Sequence, residues 1–203
     1  MEKKFAIAII TVLSLALIGL GIYTFNNSDN DEMMNDDSAM IVEDVSIPPT
    51  QQDDTAVKSN FDSQERQLLY LIEEEKLAHD VYTVLYEKYG ARVFGSILNS
   101  ESTHQGKVLT LLEARNIKDP RIDQIGKFQN TDLQQLYDEL IAKGLTGEMD
   151  AYQVGVAIEE RDIKDISNQL ATTTEPDIIY ALESLRSGSE NHLRAFNRQI
   201  SRY

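Results

Sequence analysis

The sequence predicts an all-α protein: a four-helix bundle of two antiparallel hairpins joined by a long crossover containing a short helix, preceded by an N-terminal transmembrane helix. Three observations carry this. From Phe61 to Tyr203, apolar residues recur at three- and four-residue spacing in four long segments, and no stretch shows the period-two alternation of a half-buried strand. Tight turns separate the first segment from the second and the third from the fourth, whereas the second and third are separated by a long link, Asn116 to Gly147. An uncharged apolar run, Phe5 to Tyr23, stands near the N-terminus.

That run (FAIAIITVLSLALIGLGIY) has 19 residues, and as a helix it would span about 28 Å, the thickness of a hydrocarbon core. Residues 1–25 therefore read as a membrane anchor or signal segment. The sole small-residue cleavage candidate, Gly19-Leu20-Gly21, is poor and no lipid-acceptor cysteine follows, which favours an uncleaved anchor. Lys3 and Lys4 before the run and acidic residues after it put the N-terminus in the cytoplasm and the rest on the extracytoplasmic side, secreted if the segment is cleaved. Residues 26–60 turn acidic and polar around Pro48-Pro49, the composition of a disordered tether, and the folded domain is expected over 61–203.

The first bundle helix is predicted from Ser63 to Tyr89, with Asp62 or Ser63 as N-cap, Gly90 as stop, and Leu68, Leu71, Glu75, Ala78, Tyr82 and Leu85 inward. The second runs from Arg92 to Arg115, with Ile97, Glu101, His104, Val108 and Leu111 on one face. In the link, Thr131 caps a short helix from Asp132 to Lys143, stopped by Gly144. The third, Glu148 to Leu170, aligns Val156, Glu159, Ile163, Ile166 and Leu170, with Asp162 beside Glu159. The fourth opens at Pro176, suited to a first helical turn, and turns Ile178, Leu182, Leu185, Ser189, His192 and Phe196 inward up to Ile200.

Composition excludes several functions. Lys and Arg number 19 against 34 Asp and Glu, a net charge of −15 that repels nucleic acid and anionic headgroups. With no cysteine there is no disulfide, thiolate nucleophile or thiolate metal site, so any metal ligands must be carboxylates and the imidazoles of His79, His104 and His192.

Each long helix carries a metal-capable side chain in its apolar stripe. A buried unpaired carboxylate costs several kcal/mol, so such residues need a partner, a proton or a cation. Their depths agree. Glu75 lies 15 residues before Gly90, and Glu101 and His104 lie 11 and 14 after it; Glu159 and Asp162 lie 15 and 12 before Thr174, and Ser189 and His192 lie 15 and 18 after it. In antiparallel hairpins equal distance from the turn means equal height, so the polar residues share one layer, which favours a shared metal site over a hydrogen-bond network that fixes register. Glu160 rivals Glu159 but leaves the stripe, and His79 reads as a flanking residue. Tyr82 is either aromatic core or a phenol serving a ligand carboxylate, and Asp162 either a ligand or a surface residue.

Glu75-x-x-Ala78-x-x-x-Tyr82 and Glu101-x-x-His104 resemble the corresponding helices of rubrerythrin and other ferritin-like di-iron proteins. The strings EEEKLAHDVY, IEERDIKD and SENHLRAF are more similar to an uncharacterised ferritin-like domain-of-unknown-function family, over about Phe61 to Tyr203. The resemblance implies Glu75 as a terminal carboxylate, Glu101 and Glu159 as bridging carboxylates, Asp162 as an added carboxylate, and His104 and His192 as imidazole ligands. Tyr82 would be a redox-active or positioning group. Ser189 departs from the pattern, standing where a second Glu-x-x-His would have its glutamate. The cofactor implied is iron, two ions, with manganese or zinc also suited to the ligands.

The function expected is peroxide or dioxygen reduction, or ferrous iron oxidation, outside the cytoplasm, with an external electron donor. The alternative is a non-catalytic, membrane-tethered bundle with a structural or single-metal core serving as a binding module. A closed storage shell does not suit an anchored chain, whereas a homodimer does.

Overall fold

A computed structural model describes residues 54–203 of the protein. The expected anchor, and the tether up to residue 53, lie outside the described residues. The described residues form five α-helices and no strand: α1 (Asp54–Tyr89), α2 (Arg92–Ala114), α3 (Thr131–Gly144), α4 (Glu148–Leu170) and α5 (Pro176–Ile200). None of them is long and apolar enough to cross a membrane. The starts of α2 and α5 and both ends of α4 fall where the sequence puts them. α1 begins at Asp54 rather than Ser63, and α3 is capped one residue earlier than expected, by Asn130, whose side chain accepts from the N–H groups of Asp132 and Leu133.

Gly90 closes the first hairpin at φ 66°, a left-handed conformation that costs glycine nothing. Pairings along the second hairpin descend in antiparallel register, Tyr152 against Tyr203 and Asp162 against Ser189. Between hairpins the order is antiparallel too: Phe94 meets Phe196, Glu101 meets His192 and Lys107 meets Ser184 along α2 and α5. Hence α2 and α4 point the same way, and the link must return the length of α2, whose 23 residues rise about 34 Å. A short turn cannot do that. The link crosses α1 and α4 with α3 packed on both.

The core has two apolar ends with a polar layer between them. Toward the Gly90 turn lies an aromatic cluster, with Tyr82 and Phe94 5.9 Å apart and Tyr82 and Phe196 5.3 Å apart. At the other end Leu68, Leu71, Leu112, Ile166, Leu182 and Leu185 form an aliphatic cluster. Glu75, Glu101, His104, Glu159, Asp162, Ser189 and His192 are all buried, at helix positions between the two.

Candidate metal centre

Helical spacing brings these residues inward, and the two hairpins then bring them together. His104 Nδ1 lies 3.2 Å from Glu75 Oε2 and 3.4 Å from Glu101 Oε2. On the other side, His192 Nδ1 lies 2.8 Å from Glu101 Oε1 and 3.5 Å from Glu159 Oε1. The result is two buried triads, Glu75–Glu101–His104 and Glu101–Glu159–His192, each with its ligand atoms within 4.8 Å of one another. Glu101 belongs to both. The two imidazoles stack with centroids 5.6 Å apart.

A surrounding set of contacts orients these groups. Tyr82 donates its phenol proton to Glu159 Oε1 at 2.5 Å, and the Ser189 hydroxyl donates to Asp162 Oδ2. Ser100 Oγ stands 3.5 Å from His104 Nε2, the ring nitrogen that faces away from the carboxylates. Gly188 lets that ring lie against the α5 backbone, since a Cβ there would come within 2.4 Å of His104 Nε2.

Burial pushes the Glu75 carboxyl up to about 8 and the Glu159 carboxyl up to about 7 against the pull of the histidines, and Asp162 also rises. Glu101 goes the other way. Burial opposes its ionisation too, but His104 and His192 both face it and hold it down to about 2. Burial disfavours charge on the imidazoles, yet their carboxylate neighbours raise His104 to about 10 and His192 to about 9. The layer is thus built for positive charge at two points, one on each side of Glu101.

Four atoms of the layer, Glu75 Oε1, Glu101 Oε1, Asp162 Oδ1 and His192 Nδ1, are buried without a hydrogen-bond partner. Glu101 Oε1 and His192 Nδ1 are close but not aligned as donor and acceptor. Unsatisfied buried polar atoms are rare because each loses its water without compensation. A cation in each triad would satisfy the three of these atoms that belong to Glu75, Glu101 and His192, and a set of carboxylate oxygens and imidazole nitrogens fits iron, manganese or zinc.

Of the sequence-predicted residues, the structure gathers Glu75, Glu101, His104, Glu159 and His192 in the triads and places Tyr82 and Asp162 against them. Asp162 lies in the core, because the buried face of α4 runs through Ala151, Val154, Ile158, Glu159, Asp162 and Ile166, leaving Val156 and Ile163 only half-buried. Glu160 and Glu190 are exposed, and His79 is half-buried with Nδ1 3.5 Å from Asp80 Oδ1. Sequence reasoning missed four other buried charged residues on α1: Glu73, Glu74, Lys76 and Asp80. The signal was present. Ile72, Leu77 and Val81 place apolar groups beyond the single stripe, as on a helix covered from several sides.

Residues 64–203 match the model of a family described as an uncharacterized protein domain, DUF2202. The chain is 44% identical over 137 residues, 67% of its own length and 74% of the relative's, to the uncharacterized protein MJ0754 of Methanocaldococcus jannaschii. It also resembles the crystal structure of hypothetical protein MJ0754 from Methanococcus jannaschii DSM 2661, with a TM-score of 0.68 and 38% identity, covering 79% of this chain and 87% of that one. The family match takes in α2 to α5, α1 from residue 64 onward and every residue of the candidate centre, and the chain belongs to the DUF2202 family.

Proposed function

We propose that this protein is a ferritin-like metalloprotein whose centre holds two iron ions and that acts on peroxide or dioxygen, or oxidises ferrous iron, on the extracytoplasmic side of a membrane. The observation that carries the reading is Glu101, one carboxylate shared by two buried triads. Bound iron would supply the redox chemistry, cycling between ferrous and ferric states, with manganese or zinc as the other ions the donor set accepts. The chain's residues do the rest. Glu75 and His104 would hold one ion and Glu159 and His192 the other, and the Glu101 carboxylate, common to both triads, would offset their charge. Tyr82 fixes the orientation of Glu159 through its hydrogen bond, and the aromatic and aliphatic clusters keep bulk water from both ends of the layer. Without cysteine the chain has no thiolate-bound electron carrier, so turnover of an oxidant draws on an external donor.

A second reading rests on Ser189. It stands where another carboxylate would complete the symmetry, and its hydroxyl occupies one oxygen of Asp162. On that reading the bundle holds one ion or none and displays a binding surface.

Elemental analysis of the full-length chain, purified without affinity metal and then titrated anaerobically with ferrous iron, separates the two. About two ions per chain, together with oxidant consumption that Glu101→Ala abolishes, supports the redox centre. One ion supports the second reading, and none after loading overturns both metal assignments.

A further inference from the structure

The aromatic cluster beside the polar layer does not end inside the core. Tyr82, whose hydroxyl donates to Glu159, lies 5.9 Å from Phe94; Phe94 stacks on Tyr152 with centroids 5.8 Å apart, and Tyr152 meets Tyr203 at 6.0 Å. Tyr82, Phe94 and Tyr152 are buried, whereas Tyr203 is 71% exposed. Four rings thus run in sequence from a residue of the candidate centre to the surface. Packing accounts for aromatic rings in a core. It does not account for the hydroxyls at the outer end, where Tyr152 donates to Glu148 Oε1 and Tyr203 donates to Glu148 Oε2 at 3.1 Å. A phenol gives up an electron readily only when its proton has somewhere to go, because the protonated radical is a strong acid. Glu148 is that base for both rings. Burial and the Glu148 hydrogen bond hold the Tyr152 phenol well above its usual range, and the same carboxylate raises Tyr203, so both keep their protons until an electron leaves.

We propose that Tyr203, Tyr152, Phe94 and Tyr82 form a relay that passes single electrons from a one-electron donor at the surface to the metal centre. The inference rests on the redox reading of that centre, with peroxide as the oxidant. When the oxidised centre draws an electron along the line, the O–H bond of Tyr203 breaks, its proton moves to Glu148 and a neutral tyrosyl radical remains. The donor's electron and the proton returned by Glu148 then restore the phenol. Two such passes, with two protons from water, balance the reduction of one peroxide to two waters.

The test loads the full-length chain anaerobically with ferrous iron, adds hydrogen peroxide and a nitroso spin trap without any donor, and locates trapped tyrosyl radicals by peptide mass mapping. Tyr180 is the internal control, since it is 76% exposed but sits near the start of α5, off the line. Tyr203 should carry the adduct and Tyr180 should not. Tyr152→Phe removes the phenol between Tyr82 and Tyr203, and Glu148→Gln removes the base; each should bring Tyr203 marking down to the Tyr180 level with iron content unchanged. Equal marking of Tyr203 and Tyr180, no marking while peroxide is consumed, or undiminished Tyr203 marking in either variant overturns the relay and leaves the centre standing. A chain that binds no iron or consumes no peroxide overturns the redox reading, and the relay with it. The comparison of Tyr203 with Tyr180 on the unaltered chain decides the matter even where a variant fails to fold.

Discussion

α1 carries two buried charged clusters within one short run, Glu73 to Asp80, and they are built on opposite terms. Toward the crossover, every charge is answered. Glu73 accepts the N–H groups of Gln129 at 2.6 Å and Asn130 at 2.9 Å. Asp80 accepts the Gly126 N–H at 2.8 Å and the Lys76 ammonium, which also donates to the Gln124 carbonyl at 3.0 Å and lies 4.6 Å above the Phe128 ring. Toward the bundle axis, Glu75 keeps Oε1 bare and joins other groups with bare atoms. A satisfied cluster is a clamp, which pins the link on α1 so that α3 can pack. A cluster with unmatched buried atoms is, on the function proposed above, a receptor for a cation. Both clusters are buried, so the distinguishing feature is hydrogen-bond completeness.

The comparison can be broken most forcefully at Glu101. Glu101→Ala removes the ligand common to both triads, so metal content should fall from about two ions per chain to near zero by elemental analysis. Retention of one ion would mean that the triads do not depend on a shared carboxylate. His104→Ala and His192→Ala sharpen the point, since each should lose about one equivalent and keep the other.

The clamp should respond in the opposite sense. Asp80→Ala strands the Lys76 ammonium in a buried setting and should cost about 3 kcal/mol in urea unfolding, with metal content unchanged. A loss of metal in that variant would merge the two clusters into one. Acid should reveal the same carboxylate. Burial pulls Asp80 up, but hydrogen bonds from His79, Lys76 and the Gly126 N–H hold it below the usual aspartate range. A depressed folded-state pKa contributes stability that is present above the unfolded value of about 3.9 and is lost as pH falls through the folded one. Unfolding free energy should therefore drop below about pH 4, less steeply in Asp80→Asn than in the unaltered chain.

The smallest effect falls on Ser189. Ser189→Ala deletes one hydrogen bond to Asp162 and should cost about 1 kcal/mol in stability without loss of metal. A change in stoichiometry would show that Asp162 is a ligand held in place by this hydroxyl.

The centre was readable because its residues interrupt apolar stripes at helical spacing and at matched distance from two turns. Both signals are one-dimensional. The clamp was harder to read: Ile72, Leu77 and Val81 mark α1 as covered on several sides, but which of Glu73, Lys76 and Asp80 are covered depends on the folded link. Asp162 was ambiguous for a related reason. The buried arc of α4 is wider than the stripe drawn through Val156 and Ile163, since α1, α3 and α5 all pack on it.

Sequence alone determined the helices, their turns, the antiparallel hairpins, and the height at which the polar residues of each hairpin lie, because those follow from local periodicity, from glycine and proline, and from a constant rise per residue. The tertiary structure decided that Glu101 faces both histidines and which of the carboxylates on α1 have backbone partners. Those depend on how two hairpins and a crossover rotate and settle against one another, and that arrangement is set by packing between segments far apart in the chain.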